Sequence, residues 1–150
     1  MLSDSGHIRI GLPEDRADVC SIECACFGRA RFLFGLWPRV GRAGTVTLIA
    51  QCDHRPVGYL IAYQRALGGR SEMYVAGVAV RPSHRRAGLA DSLTQAIRVA
   101  HPRLWLHVRE SNVAALALYR KHGLSEKQRI ERFYSNGETA IVLVTGNLSG

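Results

Sequence analysis

The most informative segment of this chain is Val78-Ala79-Val80-Arg81-Pro82-Ser83-His84-Arg85-Arg86-Ala87-Gly88-Leu89-Ala90. The small and β-branched residues before Arg81 predict the end of a strand, and the apolar residues that recur at helical spacing after Gly88 predict a helix. The residues between them predict a short basic loop. A strand, a loop and a helix in this order indicate a sheet that is covered by helices.

The loop and the helix start have the features of an anion site. The N-terminus of a helix offers unpaired N–H groups and a partial positive charge. The small residues Ala87, Gly88 and Ala90 let a bulky anion approach the backbone, and Arg85 and Arg86 add positive charge. The segment therefore predicts a pyrophosphate site, although it matches neither the Walker loop nor the dinucleotide fingerprint. The alternative is an ordinary strand–helix turn with solvated arginines.

A second motif follows the predicted helix and reads Leu106-His107-Val108-Arg109-Glu110-Ser111-Asn112-Val113-Ala114-Ala115-Leu116-Ala117-Leu118-Tyr119-Arg120-Lys121-His122-Gly123-Leu124. It is similar to the L-x-V-x-x-x-N-x-x-A-x-x-x-Y-x-x-x-G-F segment of the GNAT superfamily, the acyl-CoA-dependent N-acyltransferases. The run Arg85-x-x-Gly88-x-Ala90 resembles the Q/R-x-x-G-x-G/A signature of the same superfamily. The resemblance is greatest to protein N-terminal acetyltransferases, including the bacterial ribosomal-protein alanine type, and it covers Glu72 to Leu124.

The predicted elements follow the order β-α-α-β-β-β-α-β-α-β-β along one continuous domain, residues 1–150. The predicted strands are His7–Gly11, Thr45–Gln51, Val57–Arg65, Glu72–Val80, Arg103–Arg109, Lys127–Tyr134 and Thr139–Thr145. The predicted helices are Pro13–Cys26, Arg29–Trp37, a helix from about Gly88 to Ala100, and Asn112–His122 capped by Ser111. This order predicts an α/β (α+β mixed) fold with a mixed sheet and helices on both faces. The resemblance implies a GNAT fold, with about seven mostly antiparallel strands that splay apart between the fourth and the fifth.

Composition and charge exclude several classes of protein. An apolar content of 47% and a charged content of 21% are typical of a globular chain and exclude disorder. No apolar run approaches the roughly 18 residues of a membrane span, and Met1 to Ile10 lack a signal-peptide core, so we expect a cytoplasmic protein with no membrane contact.

The net charge of +8 favours an anionic partner, namely nucleic acid, an acidic peptide or a phosphorylated cofactor. Because the arginines are spread from Arg9 to Arg132, we expect no dedicated nucleic-acid binding. The four cysteines lack C-x-x-C spacing, which favours buried structural thiols and no metal site.

The resemblance implies that acetyl-CoA is the co-substrate and assigns ten residues to it. Its pantetheine arm would lie between the splayed strands and pair with the backbone of Val78, Ala79 and Val80. Its pyrophosphate would bind the backbone of Arg85, Arg86, Ala87, Gly88, Leu89 and Ala90. Asn112 would hydrogen-bond the pantetheine, and its alternative role is that of a residue at the helix start.

Tyr119 matches the family tyrosine that lies near the thioester sulfur. An unperturbed phenol has a pKa of about 10, against about 8.5 for a cysteine-like thiol, so full proton donation to the thiolate would be uphill by roughly 2 kcal/mol. We therefore expect the hydroxyl to stabilise the leaving thiolate by a hydrogen bond. The alternative is a core aromatic residue.

His107 is the first candidate for the general base. The ribosomal-protein branch usually has Glu at this position, whereas imidazole with a pKa near 6.5 suits a proton acceptor at pH 7. Strand alternation places Leu104 and Leu106 on one face and His107 on the other. Glu72 is the second candidate, and its alternative is a solvated residue at the strand start. Tyr74, two residues along on the same face, would order a water instead or contact the substrate. The other possibility for His107 is a strand histidine without chemistry.

The acceptor of the acetyl group is less well specified than the donor. The resemblance places specificity in Phe27–Gly44 and Ile130–Gly137, where Phe133 and Tyr134 stand at the family's paired tyrosines. Arg31–Trp37 is unusually apolar and either lines a pocket or belongs to the core. His84, His101 and His122 are expected at the surface.

We expect acetyl transfer to an amine-bearing peptide or protein N-terminus, by direct attack in a ternary complex, and a monomer or homodimer. The alternatives are a small-molecule or antibiotic acetyltransferase and a non-catalytic acyl-CoA-binding module.

Overall fold

Seven strands form one sheet in the computed structural model, which describes residues 6–148. The strands are β1 (His7–Ile10), β2 (Thr45–Cys52), β3 (Arg55–Leu67), β4 (Arg70–Val80), β5 (Leu104–Arg109), β6 (Leu124–Ile130) and β7 (Ala140–Thr145). The α-helices of the described residues are α1 (Arg16–Phe27), α2 (Arg31–Phe34), α3 (Leu89–Ala100) and α4 (Val113–Lys121). Strands and helices follow each other in the order predicted from the sequence.

The sheet has the order β1-β2-β3-β4-β5-β7-β6, and its only parallel pair within residues 6–148 is β4 with β5. These two strands pair at Met73–Leu104 and at Tyr74–Trp105 and then separate. Beyond this point β5 pairs with β7 on its other side. The predicted mixed, mostly antiparallel sheet that splays between its fourth and fifth strands is confirmed.

Helices cover both faces of the sheet, as predicted. Residues of α3 and α4, such as Leu93 and Leu116, pack against Leu60 and Leu106 in the larger core. On the opposite face, Val19 and Ile22 of α1 pack against Ile49, Tyr59 and Ile61. We refer to these two sides as the α3/α4 face and the α1 face.

The side chains of β5 alternate between the two faces, which confirms the predicted alternation. Leu104, Leu106 and Val108 belong to the core of the α3/α4 face. Trp105 instead packs with Tyr74 and with residues of β7 on the α1 face. His107, two residues after Trp105, therefore lies on the α1 face.

The last hairpin differs from the prediction. Strand β6 begins at Leu124 rather than at Lys127, because Gly123 (φ 88°) ends the preceding turn and the chain extends at once. It ends at Ile130, so Phe133 and Tyr134 lie in a loop rather than in a strand. Arg132 has a positive φ of 53°, which is incompatible with an extended strand. The predicted turn at Asn136-Gly137 lies at the tip of this loop, where Gly137 N–H donates to Tyr134 O.

Two helix boundaries also differ from the prediction. Asn112, not Ser111, caps α4, because its Oδ1 accepts the N–H of Ala115 at 3.1 Å. The predicted helix Arg29–Trp37 is interrupted at Gly35, which is extended with a ψ of −179°. Only α2 and a 3₁₀ turn at Trp37–Arg39 remain of it. Among residues 6–148, no helix is long and apolar enough to cross a membrane.

Candidate active site

A cavity of about 560 Å³ opens where β4 leaves β5, between the starts of α3 and α4. Nine of the residues that the sequence assigns to the cofactor line it, namely Val78, Ala79, Val80, Arg85, Arg86, Gly88, Leu89, Ala90 and Asn112. Ala87 is not among the lining residues. Phe27, from the end of α1, also lines the cavity, whereas the resemblance placed it in the acceptor-specificity segment and not in the cofactor site.

The start of α3 provides unpaired backbone donors at the cavity. The first helical hydrogen bond runs from Ser92 N to Gly88 O at 2.9 Å, so the N–H groups of Leu89 and Ala90 precede it. Arg86 and Gly88 both have positive φ values, 69° and 76°, in the loop that leads into the helix. A side chain at Gly88 would meet nothing within 4 Å. The loop therefore leaves room for a large anion beside backbone donors.

After β5 separates from β4, the last residues of β4 have no strand partner on the side that faces the cavity. Val78 and Val80 pair with Leu60 and Gly58 of β3 along the opposite edge of the strand. The carbonyl oxygen of Val80 accepts from Cys26 Sγ at 3.3 Å and from Arg85 Nε at 3.2 Å. Backbone groups without a strand partner require other partners, and an amide-rich pantetheine arm can supply them.

The side-chain amide of Asn112 can serve both the helix and the cavity. Its oxygen is engaged as the cap of α4, whereas its NH₂ group adds two donors at the cavity wall. The cap holds the amide in place, so the helix-start role and the cofactor role that the sequence left as alternatives are compatible.

Tyr119 lies on α4 and lines the same cavity, although only 8% of the residue is exposed. Burial raises the pKa of its phenol, and the nearby Tyr74 raises it further. The hydroxyl therefore keeps its proton through the physiological range. This arrangement suits a hydrogen-bond donor and does not suit a group that gives up its proton completely.

His107 lies on the α1 face, just past the point where β4 and β5 separate. Its Nδ1 is 2.8 Å from the Tyr74 hydroxyl, and its ring stacks on Phe133 with a centroid distance of 4.5 Å. Burial, together with the positive charge of Arg65, lowers the pKa of His107 to about 4. This differs from the ordinary pKa near 6.5 that the sequence leads us to expect, because the sequence does not show how many side chains exclude water from the ring.

The contact with Tyr74 engages Nδ1 of His107, so Nε2 is the ring nitrogen left for another partner. Burial raises the pKa of Tyr74 to about 12, so this phenol stays protonated. In the tautomer that donates Nδ1–H to the Tyr74 oxygen, the lone pair of Nε2 remains available as an acceptor. The neutral imidazole is then poised to receive a proton, although it holds that proton weakly.

Glu72 is not brought together with His107 and Tyr119. Its carboxylate forms an ion pair with Arg103 at 2.7 Å, and hydrogen bonding to Arg103 lowers its pKa. It lines a separate cavity of about 390 Å³ with Lys127 and Leu148. The pair lies at the closed end of the fork, where β4 and β5 are still hydrogen-bonded.

A layer of aromatic rings surrounds His107 on the α1 face. Tyr74 contacts Trp105 at a centroid distance of 4.6 Å, and Phe133 contacts Tyr134 at 5.0 Å. The guanidinium of Arg109 lies 3.9 Å from the centre of the Tyr134 ring. The predicted substrate residues Tyr74, Phe133 and Tyr134 are thus brought together around His107. Trp105 is a member that sequence reasoning did not single out.

The remaining predictions for this region have mixed outcomes. His122 is wrongly expected at the surface, since its side chain is 7% exposed and its Nε2 lies 2.8 Å from Asp91 Oδ1. His84 is half-buried and lines the cofactor cavity. The four cysteines are free and partly buried. Phe32 and Phe34 are exposed, so this part of the apolar segment joins neither a pocket nor the core.

Known proteins resemble this chain in both sequence and fold. The sequence model of the acetyltransferase (GNAT) family matches residues 17–124. The chain is 29% identical over 111 residues to N-alpha-acetyltransferase 20 of Dictyostelium discoideum, a match that covers 70% of this chain and 61% of the relative. The chain therefore spans less than two thirds of that relative's length.

Two solved structures show the same fold. The ribosomal-protein-S18-alanine N-acetyltransferase of Escherichia coli has a TM-score of 0.76 and 23% identity, over 93% of this chain and 92% of that one. NAA60 of Arabidopsis thaliana in complex with acetyl-CoA has a TM-score of 0.75 and 17% identity, over 93% of this chain and 97% of that one. Because the family match spans the splayed strands, the anion loop and the tyrosine helix together, the chain belongs to the acetyltransferase (GNAT) family.

Proposed function

We propose that this protein transfers the acetyl group of acetyl-CoA to the α-amino group at the N-terminus of a peptide or protein, by direct attack in a ternary complex. The observation that carries the proposal is the position of the fork between β4 and β5. Tyr119 lines the cavity beside the fork, and His107 lies on the α1 face just past it. Acetyl-CoA in the cavity and an amine on the α1 face can thus reach the same point between the two strands.

The donor half of the proposal assigns roles to the cavity residues. The backbone donors from Gly88 to Ala90, with Arg86, bind the pyrophosphate. The open edge of Val78 and Ala79, with the amide of Asn112, binds the pantetheine arm. Bound acetyl-CoA supplies a thioester whose carbonyl carbon is the electrophile. A free N–H of β4 then stabilises the oxygen of that carbonyl as negative charge develops on it.

The acceptor half assigns the proton transfers. As the amine nitrogen bonds to the carbonyl carbon, the nitrogen becomes positive, and Nε2 of His107 accepts a proton from it directly or through a water. The carbon–sulfur bond breaks, and the Tyr119 hydroxyl donates a hydrogen bond to the leaving thiolate. With a pKa of about 4, His107 is neutral at pH 7 and cannot deprotonate a free ammonium group. The acceptor must therefore arrive as a neutral amine.

This requirement favours an α-amine over a lysine side chain. An α-amino group with a pKa of about 7.7–8.0 is roughly 10–20% neutral at pH 7, whereas a lysine amine with a pKa of about 10.4 is under about 0.1% neutral. The likeness to N-alpha-acetyltransferase 20 supports the same substrate class. A layer of aromatic rings around His107 further suits a peptide and offers no carboxylate cluster for a polycationic small molecule.

The decisive experiment measures release of free CoA from acetyl-CoA with three acceptors. One is a peptide with a free N-terminus and no lysine, the second is an N-formylated peptide with one lysine, and the third is a small polyamine. We expect release with the first only. Release with the third only would indicate a small-molecule acetyltransferase. Binding of acetyl-CoA without release for any acceptor would indicate a non-catalytic acyl-CoA-binding module.

We also propose a cytoplasmic location and a monomer or homodimer. Cell fractionation of the native source tests the location. Light scattering coupled to size-exclusion chromatography tests the oligomeric state.

A further inference from the structure

A second cavity lies at the closed end of the fork, apart from the cofactor cavity. Its volume is about 390 Å³, and its cationic lining residues are Arg70, Arg103 and Lys127. Glu72 is the one carboxylate among the described residues that line it, and Arg103 contacts this carboxylate at 2.7 Å. Three cations against one carboxylate leave an excess of two positive charges. This excess favours an anionic occupant.

The strand register connects this second cavity with the aromatic layer around His107. Three opposite pairs of the β3–β4 ladder succeed one another on the α1 face, namely Tyr63 with Tyr74, Arg65 with Glu72, and Leu67 with Arg70. Leu67, which lines the second cavity, packs against the cluster that contains Tyr74 and Trp105. Because strand residues rise about 3.3 Å each, successive pairs are about 7 Å apart. The second cavity therefore continues the surface on which His107 lies.

Arg65 adds a positive charge between these two places. Its guanidinium lies 4.5 Å from the centre of the Tyr74 ring and 5.6 Å from that of the Trp105 ring. Although Arg65 is opposite Glu72, that carboxylate is paired with Arg103. In the described part of the chain, no carboxylate lies within 4 Å of the Arg65 guanidinium. A guanidinium that stacks on a ring keeps the N–H donors of its edge available for a carboxylate.

The length of β5 sets the distance between the second cavity and the reaction centre. Arg103 precedes His107 by four residues, which corresponds to about 13 Å along an extended chain. The open end of the fork is assigned to the pantetheine arm, so the closed end is the direction that the α1 face leaves for an acceptor chain. An extended acceptor with its first residue at His107 would bring roughly its fourth to sixth residues to the second cavity.

We propose that the second cavity binds acidic side chains of the acceptor, at about its fourth to sixth residues, so that the protein prefers acceptors with an acidic segment behind the N-terminus. This inference rests on the proposed N-terminal acetyltransferase function. Arg70, Arg103 and Lys127 provide the charge at the cavity, and Arg65 provides it along the way. None of the four lines the cofactor cavity, so changes among them alter acceptor affinity and leave acetyl-CoA binding intact.

The first test compares two peptides that are identical except at positions four to six, where one has glutamate and the other has glutamine. Wild type has a kcat/KM about 10-fold higher for the glutamate peptide, mainly through KM, because several exposed ion pairs of modest strength act together. The preference falls below about threefold at about 0.5 M salt, since salt screens exposed charges. Equal kcat/KM values at low salt overturn the inference.

The second test changes the charge of the second cavity in opposite directions. Arg70→Gln removes a cation and lowers the ratio of the two kcat/KM values, glutamate peptide to glutamine peptide, by about threefold. Glu72→Gln removes the carboxylate, releases Arg103 and raises the same ratio. Arg55→Gln is the matched control, because Arg55 is also exposed but lies at the opposite end of β3. An equal decrease in Arg55→Gln and Arg70→Gln assigns the preference to overall charge and overturns the inference.

A binding measurement separates this inference from the proposed function. Calorimetry without acetyl-CoA uses the same two peptides with an acetylated N-terminus, and wild type binds the glutamate form about 10-fold more tightly. If neither free peptide is acetylated while acetyl-CoA binds, the proposed function is wrong, and the calorimetric difference alone decides on the second cavity. If both free peptides are acetylated equally well and both acetylated forms bind equally, only the present inference is wrong.

Discussion

The hydroxyl of Tyr74 lies 2.8 Å from Nδ1 of His107, immediately beyond the point where β4 and β5 separate. The two residues are 33 positions apart in the chain, and the contact joins the two arms of the fork. It orients the imidazole at the place where donor and acceptor would meet. Because both groups are partly buried and uncharged, the contact needs no compensating ion.

The first prediction concerns the pH dependence of the rate. Since the pKa of His107 is lowered to about 4, kcat/KM has no limb near pH 6.5 and rises only as the acceptor amine loses its proton near pH 8. His107→Ala lowers kcat by about 100-fold and leaves the shape of the profile between pH 6 and 9 unchanged. A wild-type limb near 6.5 that disappears in His107→Ala would show that the imidazole keeps its ordinary pKa.

The second prediction concerns stability at low pH. The unfolded chain binds a proton at His107 near pH 6.5, whereas the folded chain does so only near 4. The unfolded state therefore binds more protons in this interval, and folding stability falls as the pH is lowered through it. His107→Gln removes this effect, so the Tm of wild type decreases relative to that of the variant by roughly 2 °C or more between pH 7.5 and 5. Parallel Tm curves would contradict the shift.

The third prediction concerns the leaving group. Tyr119→Phe keeps the buried ring and removes only the hydroxyl, so kcat falls by about 10-fold or more while acetyl-CoA affinity changes little. Single-turnover kinetics with saturating peptide measure the chemical step. Wild-type turnover in this variant would identify Tyr119 as a packing residue only.

The fourth prediction concerns the anion loop. Gly88→Glu adds bulk and negative charge at the pyrophosphate site, so acetyl-CoA no longer raises the Tm of the variant, which remains folded. Gly44→Glu is a matched control, since Gly44 also has a positive φ (82°) and open space around it but lies outside the cavity. If Gly88→Glu keeps the full thermal shift, the loop does not bind the pyrophosphate.

The fifth prediction concerns Glu72, the other base candidate. Because Glu72 is paired with Arg103 in a separate cavity, Glu72→Gln changes kcat by less than about threefold. His107→Ala measured on the same peptide is the comparison. A larger loss in Glu72→Gln than in His107→Ala would make Glu72 the base.

Much of the donor site could be predicted because its residues are close together in the chain. The strand end, the loop and the start of α3 occupy thirteen consecutive residues, from Val78 to Ala90. Hydrophobic periodicity and the conformational preference of Gly88 act over a few residues, so the sequence alone determines them. The alternation along β5 is equally local, and it correctly separated Leu106 from His107.

Only the tertiary structure decided the protonation and pairing of the acceptor site. Glu72 meets Arg103, 31 positions away, and this ion pair engages its carboxylate away from His107 and Tyr119. The low pKa of His107 depends on Arg65 and on every ring that excludes water from it. Desolvation and long-range charge pairing depend on all the elements that pack around a group, and a local pattern in the chain does not contain them.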